Sequence, residues 1–148
     1  MKKEPTNAEL NRKLFWRLYA GKLVRNGEPF PLNILYKDGY PRHYARVLSG
    51  NGYVLDLEIS VKKREFSVYI YIDNNIELYR KLLSYREEIE DELGFKLSFY
   101  DSNKNPENVK WIRASWLIYS DDSLDYPRVI DQTFDDVCNF INTFRKYL

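Results

Sequence analysis

Between Tyr53 and Val61, Leu55, Leu57, Ile59 and Val61 alternate with Asp56, Glu58 and Ser60. A period of two is the signature of a strand with one face on a core and the other toward water. The charged turn Lys62-Lys63-Arg64-Glu65 closes a hairpin, whose return strand sets Phe66, Val68, Ile70 and Ile72 against Ser67, Tyr69 and Tyr71. A weaker strand, Tyr44 to Leu48, precedes the turn Ser49-Gly50-Asn51-Gly52. Ahead of it, residues 26 to 41 hold Gly27, Pro29, Pro31, Gly39 and Pro41 and read as an irregular connection. The spacing changes at both ends of the chain. Thr6-x-x-Glu9 is a capping box, and Leu10, Leu14, Phe15 and Leu18 recur at helical intervals, predicting a helix from about Asn7 to Leu23. Asn74-x-x-Glu77 starts a second helix that stops at Gly94. Phe95 to Tyr100 and Lys110 to Tyr119 are two further strands around a polar loop containing Pro106. The latter sets Ile112, Ala114, Trp116 and Ile118 against Trp111, Arg113, Ser115 and Tyr119. A last helix, capped by Asp131 or Thr133, carries the stripe Phe134, Val137, Ile141 and Phe144. The order α-β-β-β-α-β-β-α predicts one α+β domain over residues 1–148, an antiparallel sheet of about five strands with three helices.

Composition adds exclusions. The 148 residues are 44% hydrophobic and 30% charged, the balance of one globular domain. No apolar stretch follows the basic Met1-Lys2-Lys3, so neither a secretory signal nor a membrane span is expected, and the location is expected to be cytoplasmic. Cys138 and His43 are each the sole residue of their kind, which excludes an internal disulfide, a zinc site built on several Cys or His, and any triad needing a second His. The charge is uneven: residues 1 to 64 hold 13 Lys/Arg and 6 Asp/Glu, and the remainder hold 10 and 16. Two such halves either neutralise each other within one core or leave a polar interaction surface.

The search for chemistry finds little. Neither Gly-x-x-x-x-Gly-Lys-Ser/Thr nor Gly-x-Gly-x-x-Gly occurs. Asp56-x-Glu58 places two carboxylates on one strand face, yet the Lys spacing of a metal-dependent nuclease is wrong, and a solvated strand face accounts for the pair. No cofactor, metal or catalytic residue is therefore expected, and an enzyme is the less favoured reading. Cys138 sits beside an apolar stripe with Asp135 and Asp136 nearby, which would raise its thiol pKa.

The second helix breaks a local rule. Leu78, Leu82, Ile89 and Leu93 form its buried stripe, and Arg86 points the same way, with Glu90 four residues on as a partner. Because helical side chains lean toward the N-terminus, Arg86 must pass Leu82 before reaching water, so a guanidinium at least half buried and paired with a carboxylate is expected. Glu87, Glu88, Glu90, Asp91 and Glu92 crowd the helix C-terminus, where the macrodipole favours cations, and the turn Lys62-Lys63-Arg64 or a partner protein is expected to compensate them. Phe15-Trp16, the strand Val68-Tyr69-Ile70-Tyr71-Ile72 and above all Leu83-x-x-Arg86-x-x-Ile89-Glu90-x-x-Leu93-Gly94-x-x-Leu97-x-Phe99 resemble the bacterial and archaeal domain-of-unknown-function 4268 family over most of the chain. Arg86, Ile89, Glu90 and Gly94 match its pattern, while Phe99 stands where the family usually has Trp. The resemblance implies occurrence alone or after nuclease-like domains, with no established activity to carry over.

If helices cover only the face with Leu55, Leu57, Ile59, Val68 and Ile70, the other face presents Asp56, Glu58, Tyr69, Tyr71, Trp111, Arg113 and Tyr119. Aromatic residues and Arg together are the composition of interface hot spots. The expectation is a non-enzymatic interaction module binding a protein partner or a second copy through these residues together with Arg86 and Glu90. The alternative is a domain that stacks single-stranded nucleic acid on the same aromatics, or a nuclease-associated accessory domain.

Overall fold

The computed structural model describes residues 4–101, 109–119 and 123–148. Its element order is α1 (Asn7–Arg25), β1 (Asn33–Lys37), β2 (Tyr40–Gly50), β3 (Tyr53–Ser60), β4 (Glu65–Ile72), α2 (Ile76–Ser84), α3 (Arg86–Leu93), β5 (Ser98–Asp101), β6 (Lys110–Leu117) and α4 (Tyr126–Arg145). The six strands form one antiparallel sheet in the order β1-β2-β3-β4-β6-β5. The predicted loop around Pro106 and part of the acidic loop before α4 lie outside the described residues.

The α+β class holds, and four particulars change. Residues 33 to 37 are a strand, β1, rather than irregular, because Asp38 and Gly39 take φ of 54° and 83° and form a two-residue hairpin loop between Lys37 and Tyr40. Two consecutive positive φ angles are what a tight hairpin with native twist requires. The second helix is two helices broken at Tyr85: Ser84 donates its hydroxyl hydrogen to the Lys81 carbonyl, at 2.6 Å, a local bond that competes with the helical ladder. It is capped by Asn75, which accepts from the Leu78 N–H at 3.2 Å, rather than by Asn74. The last helix begins at Tyr126, one turn or more ahead of Asp131, with Pro127 in its first turn, where a missing N–H costs nothing.

The strand faces sort as the alternation requires. Leu55, Leu57, Ile59, Phe66, Val68, Ile70, Ile72 and Ile112 are all buried against the helices. Phe15 and Tyr19 of α1 lie 5.2 and 5.6 Å from the Phe66 ring, and Phe134 of α4 closes on Tyr19 at 6.1 Å. Truncating one such ring to Ala typically costs about 3–5 kcal/mol. α2 joins the same side, its Tyr79 ring meeting Phe99 of β5 at 6.3 Å. All the helices thus share one face of the sheet, and no helix among the described residues lies on the other.

Candidate functional site

The uncovered face is built from cross-strand rows. Its central row runs Arg46, Asp56, Tyr69, Arg113 and Ser98 across β2, β3, β4, β6 and β5. The hairpin turn alone would set Val47 opposite Asp56, since Leu48 pairs with Leu55. A bulge at Val47 shifts the register so that Arg46 takes that place. Arg46 then donates to Asp56 through Nε at 3.1 Å and Nη2 at 3.4 Å, and the Tyr69 hydroxyl donates to the same carboxylate at 3.4 Å. Asp56 is only 2% exposed. Burial pushes its carboxyl above the ordinary aspartate value even though Arg46 and Tyr69 pull the other way. Burial, then Asp56 and Glu58, drive the Tyr69 phenol well up.

The neighbouring row holds Tyr44, Glu58, Ser67 and Ser115, with the two serine hydroxyls 2.9 Å apart. Glu58 forms an ion pair with Arg113 Nη1 at 3.2 Å and faces His43 Nε2 at 3.7 Å. The Arg113 guanidinium also lies over the Tyr69 ring, at 4.8 Å, and beside Trp111, at 5.7 Å. On the third row Tyr71 pairs with Trp111, whose ring stacks on Tyr100 at 4.2 Å and an interplanar angle of 14°. The face therefore carries two neutralised Arg–carboxylate pairs and, at one end, an aromatic strip. Asp56 and Glu58 are engaged by cations instead of gathering into a metal cage, and among the described residues no group of three or more His, Cys, Asp and Glu could hold a metal.

The structure brings together Asp56, Glu58, Tyr69, Tyr71, Trp111 and Arg113. Tyr119 is not with them: β6 ends at Leu117, and Tyr119, 71% exposed, stacks under the Arg128 guanidinium at 4.3 Å near the start of α4. Its N–H donates to Asp125 at 2.7 Å, and Arg128 together with that bond lowers the Asp125 carboxyl to about 2.

Arg86 and Glu90 also stand apart, on the helix side. The Arg86 side chain is 43% exposed and so a little more than half buried, and its Nε meets Glu90 at 3.3 Å. Its Nη2 donates to the Leu97 carbonyl at 3.2 Å while the guanidinium covers the Phe99 ring at 4.7 Å. Glu90 accepts the Leu97 N–H at 2.6 Å. The pair ties α3 to the chain that turns at Gly94, φ 81°, into β5. Lys96, at 3.9 Å from Glu90, and Lys146, bonded to Glu92, supply the positive charge that the acidic helix end calls for.

Arg46, Tyr44 and Tyr100 join the face without being placed on it by the alternation of the strands. Arg46 was reachable only through the bulge. Tyr44 follows from its pairing with Glu58, and Tyr100 from its place opposite Trp111.

No helix among the described residues is long and apolar enough to cross a membrane. No curated protein matches the sequence. Among solved structures, YbjN from E. coli, a candidate transcription regulator, is similar at a TM-score of 0.46 and 8% identity, covering 89% of this chain and 90% of that one. The family model described as Domain of unknown function (DUF4268) matches residues 9–148. That span takes in every strand of the sheet and the Arg86–Glu90 clamp, and the chain belongs to the Domain of unknown function 4268 family.

Proposed function

We propose that the protein is a non-enzymatic interaction module that dimerises by burying its uncovered sheet face against that of a second copy. The observation that carries the reading is the helix-free face with Tyr71, Trp111 and Tyr100 in one strip beside two internally neutralised Arg–carboxylate pairs. Tyr, Trp and Arg are the residues enriched at interface hot spots. A face whose charges already cancel can be desolvated without stranding a bare ion, and two copies of it do not repel. Sedimentation velocity from micromolar to millimolar protein tests this. A dimer is expected for the wild type, weakened in Trp111→Ala and Tyr71→Ala by about 2 kcal/mol each, roughly thirtyfold in Kd. A wild-type monomer throughout that range overturns the proposal.

A second reading, stacking of single-stranded nucleic acid, draws on the same strip, since every base offers a π-face. Asp56 and Glu58 occupy Arg46 and Arg113, which leaves that face short of cations for phosphates. Retention of a labelled oligonucleotide at low salt, lost in Trp111→Ala and as salt rises, would establish it.

A further inference from the structure

A second surface lies on the other side of the molecule, where α1 crosses above the edge of the sheet. β1 is the outermost strand, and among the described residues nothing pairs with its outer side. Half of an edge strand's N–H and C=O groups point away from its single neighbour and remain open to pairing. Beside this edge run two cavities of about 450 and 290 Å³ that share Ala20 and Ile34 as walls. Leu32 and Val24 line one end and Trp16 and Tyr36 the other. Val24 is 66% and Tyr36 62% exposed, so two large apolar side chains stand in water along the groove.

The dimensions agree. From Lys13 to Val24, α1 advances about 17 Å, at 1.5 Å per residue, and the five residues of β1 span about the same length at 3.3 Å each. Charge is divided between the ends, with Glu28 lining the cavity at the Val24 end. Lys13 and Arg17 line the cavity at the Tyr36 end. Neither meets a carboxylate among the described residues, and Lys37, also without one, closes β1 at that end.

We infer that this groove binds an extended peptide segment of another protein by strand addition to β1, with alternate apolar side chains under α1 and an acidic residue at the Lys13–Arg17 end. Charge complementarity selects this occupant: Lys13 and Arg17 meet no carboxylate among the described residues, and an acidic residue on the added strand supplies one. Main-chain bonding gives such complexes their affinity, and the pockets for alternate side chains give their specificity.

The test is selection from a displayed library of random nonapeptides on the full chain, followed by fluorescence anisotropy with the best synthetic peptide. Enriched sequences are expected to alternate apolar residues and to carry Asp or Glu at one end. Binding should weaken at least about tenfold in Ala20→Arg, which fills the groove, and in Arg17→Glu. N-methylation of alternate peptide amides should abolish it in one of the two registers, because it removes the donors that pair with β1. Trp111→Ala should bind as the wild type does, which separates this site from the opposite sheet face. Far-UV circular dichroism confirms that each variant is folded. Failure to enrich any sequence over a parallel selection on Ala20→Arg overturns the inference. So does a selected peptide that is indifferent to Ala20→Arg, to Arg17→Glu or to both N-methylation registers, or that requires Trp111.

Discussion

Replacing Glu90 by Ala removes the acceptor of a buried backbone N–H. The Glu90 side chain is 6% exposed, and the Leu97 N–H donates to it at 2.6 Å. A buried donor left unsatisfied costs about 1–3 kcal/mol. The adjoining pair with Arg86 adds roughly 1 kcal/mol, a figure held down because that guanidinium is 43% exposed. Glu90→Ala should therefore lose about 2–4 kcal/mol. Glu90→Gln keeps an acceptor for Leu97 and should lose about 1 kcal/mol, and Arg86→Met with Glu90→Gln should be close to neutral, since the charge and its partner leave together.

The same carboxylate sets a pH signature. Burial by itself raises the Glu90 carboxyl, but the Leu97 N–H, then Arg86 and Lys96, overcome it and hold the group below its usual 4.5. A carboxyl lowered by folding stabilises the native state fully above the unfolded value, and that stabilisation is lost as pH falls through the folded one. Urea unfolding followed by tryptophan fluorescence, at several pH values from about 6 down to about 3, should show the gap between wild type and Glu90→Gln closing with acid. A Glu90→Ala variant within about 0.5 kcal/mol of wild type, or a gap that does not narrow in acid, would refute the assignment of Glu90 as the acceptor that holds α3 to β5.

Other outcomes follow from single groups. The Tyr19 hydroxyl is buried without a hydrogen-bond partner among the described residues, so Tyr19→Phe should raise stability by about 1 kcal/mol, read as a higher urea midpoint with unchanged slope. Arg46→Met strands the buried Asp56 carboxylate and should cost about 2 kcal/mol or more at neutral pH, whereas adding Asp56→Asn should recover most of it in the same assay. Because the Asp56 carboxyl is raised by folding, the proton stabilises the native state, and the Arg46→Met deficit should shrink as pH falls. Gly52 has φ 75°, and a β-carbon there would stand 2.7 Å from the Asn75 side chain and 3.0 Å from the Asp73 carbonyl, so Gly52→Ala should lower the melting temperature by several degrees, for a loss of about 1–2 kcal/mol.

The β3–β4 hairpin was legible because both strands alternate without interruption and a single charged turn joins them, so period and turn chemistry point to one answer. The capping box at Thr6 was equally plain, with the Thr6 hydroxyl and Glu9 carboxylate each meeting the other's backbone N–H. What escaped depended on small departures from regularity. Asp38-Gly39 is a strong hairpin signal, but Pro31, Pro41 and Gly39 masked the short strand beside it. A bulge cannot be counted from residue types, so Arg46 was not placed against Asp56. Lys110 looks like a strand's exposed first residue, yet it is 2% exposed because its cross-strand neighbour Asp101 meets the ammonium at 2.6 Å and the Tyr79 ring lies 5.4 Å away. The break at Tyr85 hides in a run of good helix formers, and a serine hydroxyl on the Lys81 carbonyl is not read from the spacing.

The uneven charge of the chain persists in the fold. Among the described residues, the ion pairs Lys22–Asp131 and Arg113–Glu58 join the basic and acidic halves, while Arg46–Asp56, Arg86–Glu90, Lys110–Asp101, Arg128–Asp125 and Lys146–Glu92 stay within one half. The cavities beside β1 are lined by Lys13 and Arg17 at one end and by Glu28 at the other, and Glu87, Glu88 and Asp91 stand exposed on α3. A field of this kind acts on encounter more than on residence. For a peptide with an acidic end, stopped-flow association rates should fall about tenfold between low and near-physiological salt, while the dissociation rate stays within about twofold. Truncating Lys13 and Arg17 to Ala should flatten that salt dependence. An association rate indifferent to salt would mean that the basic rim does not guide the peptide, and a dissociation rate that carried all the salt effect would place the ion pairs inside the bound interface instead of along its approach.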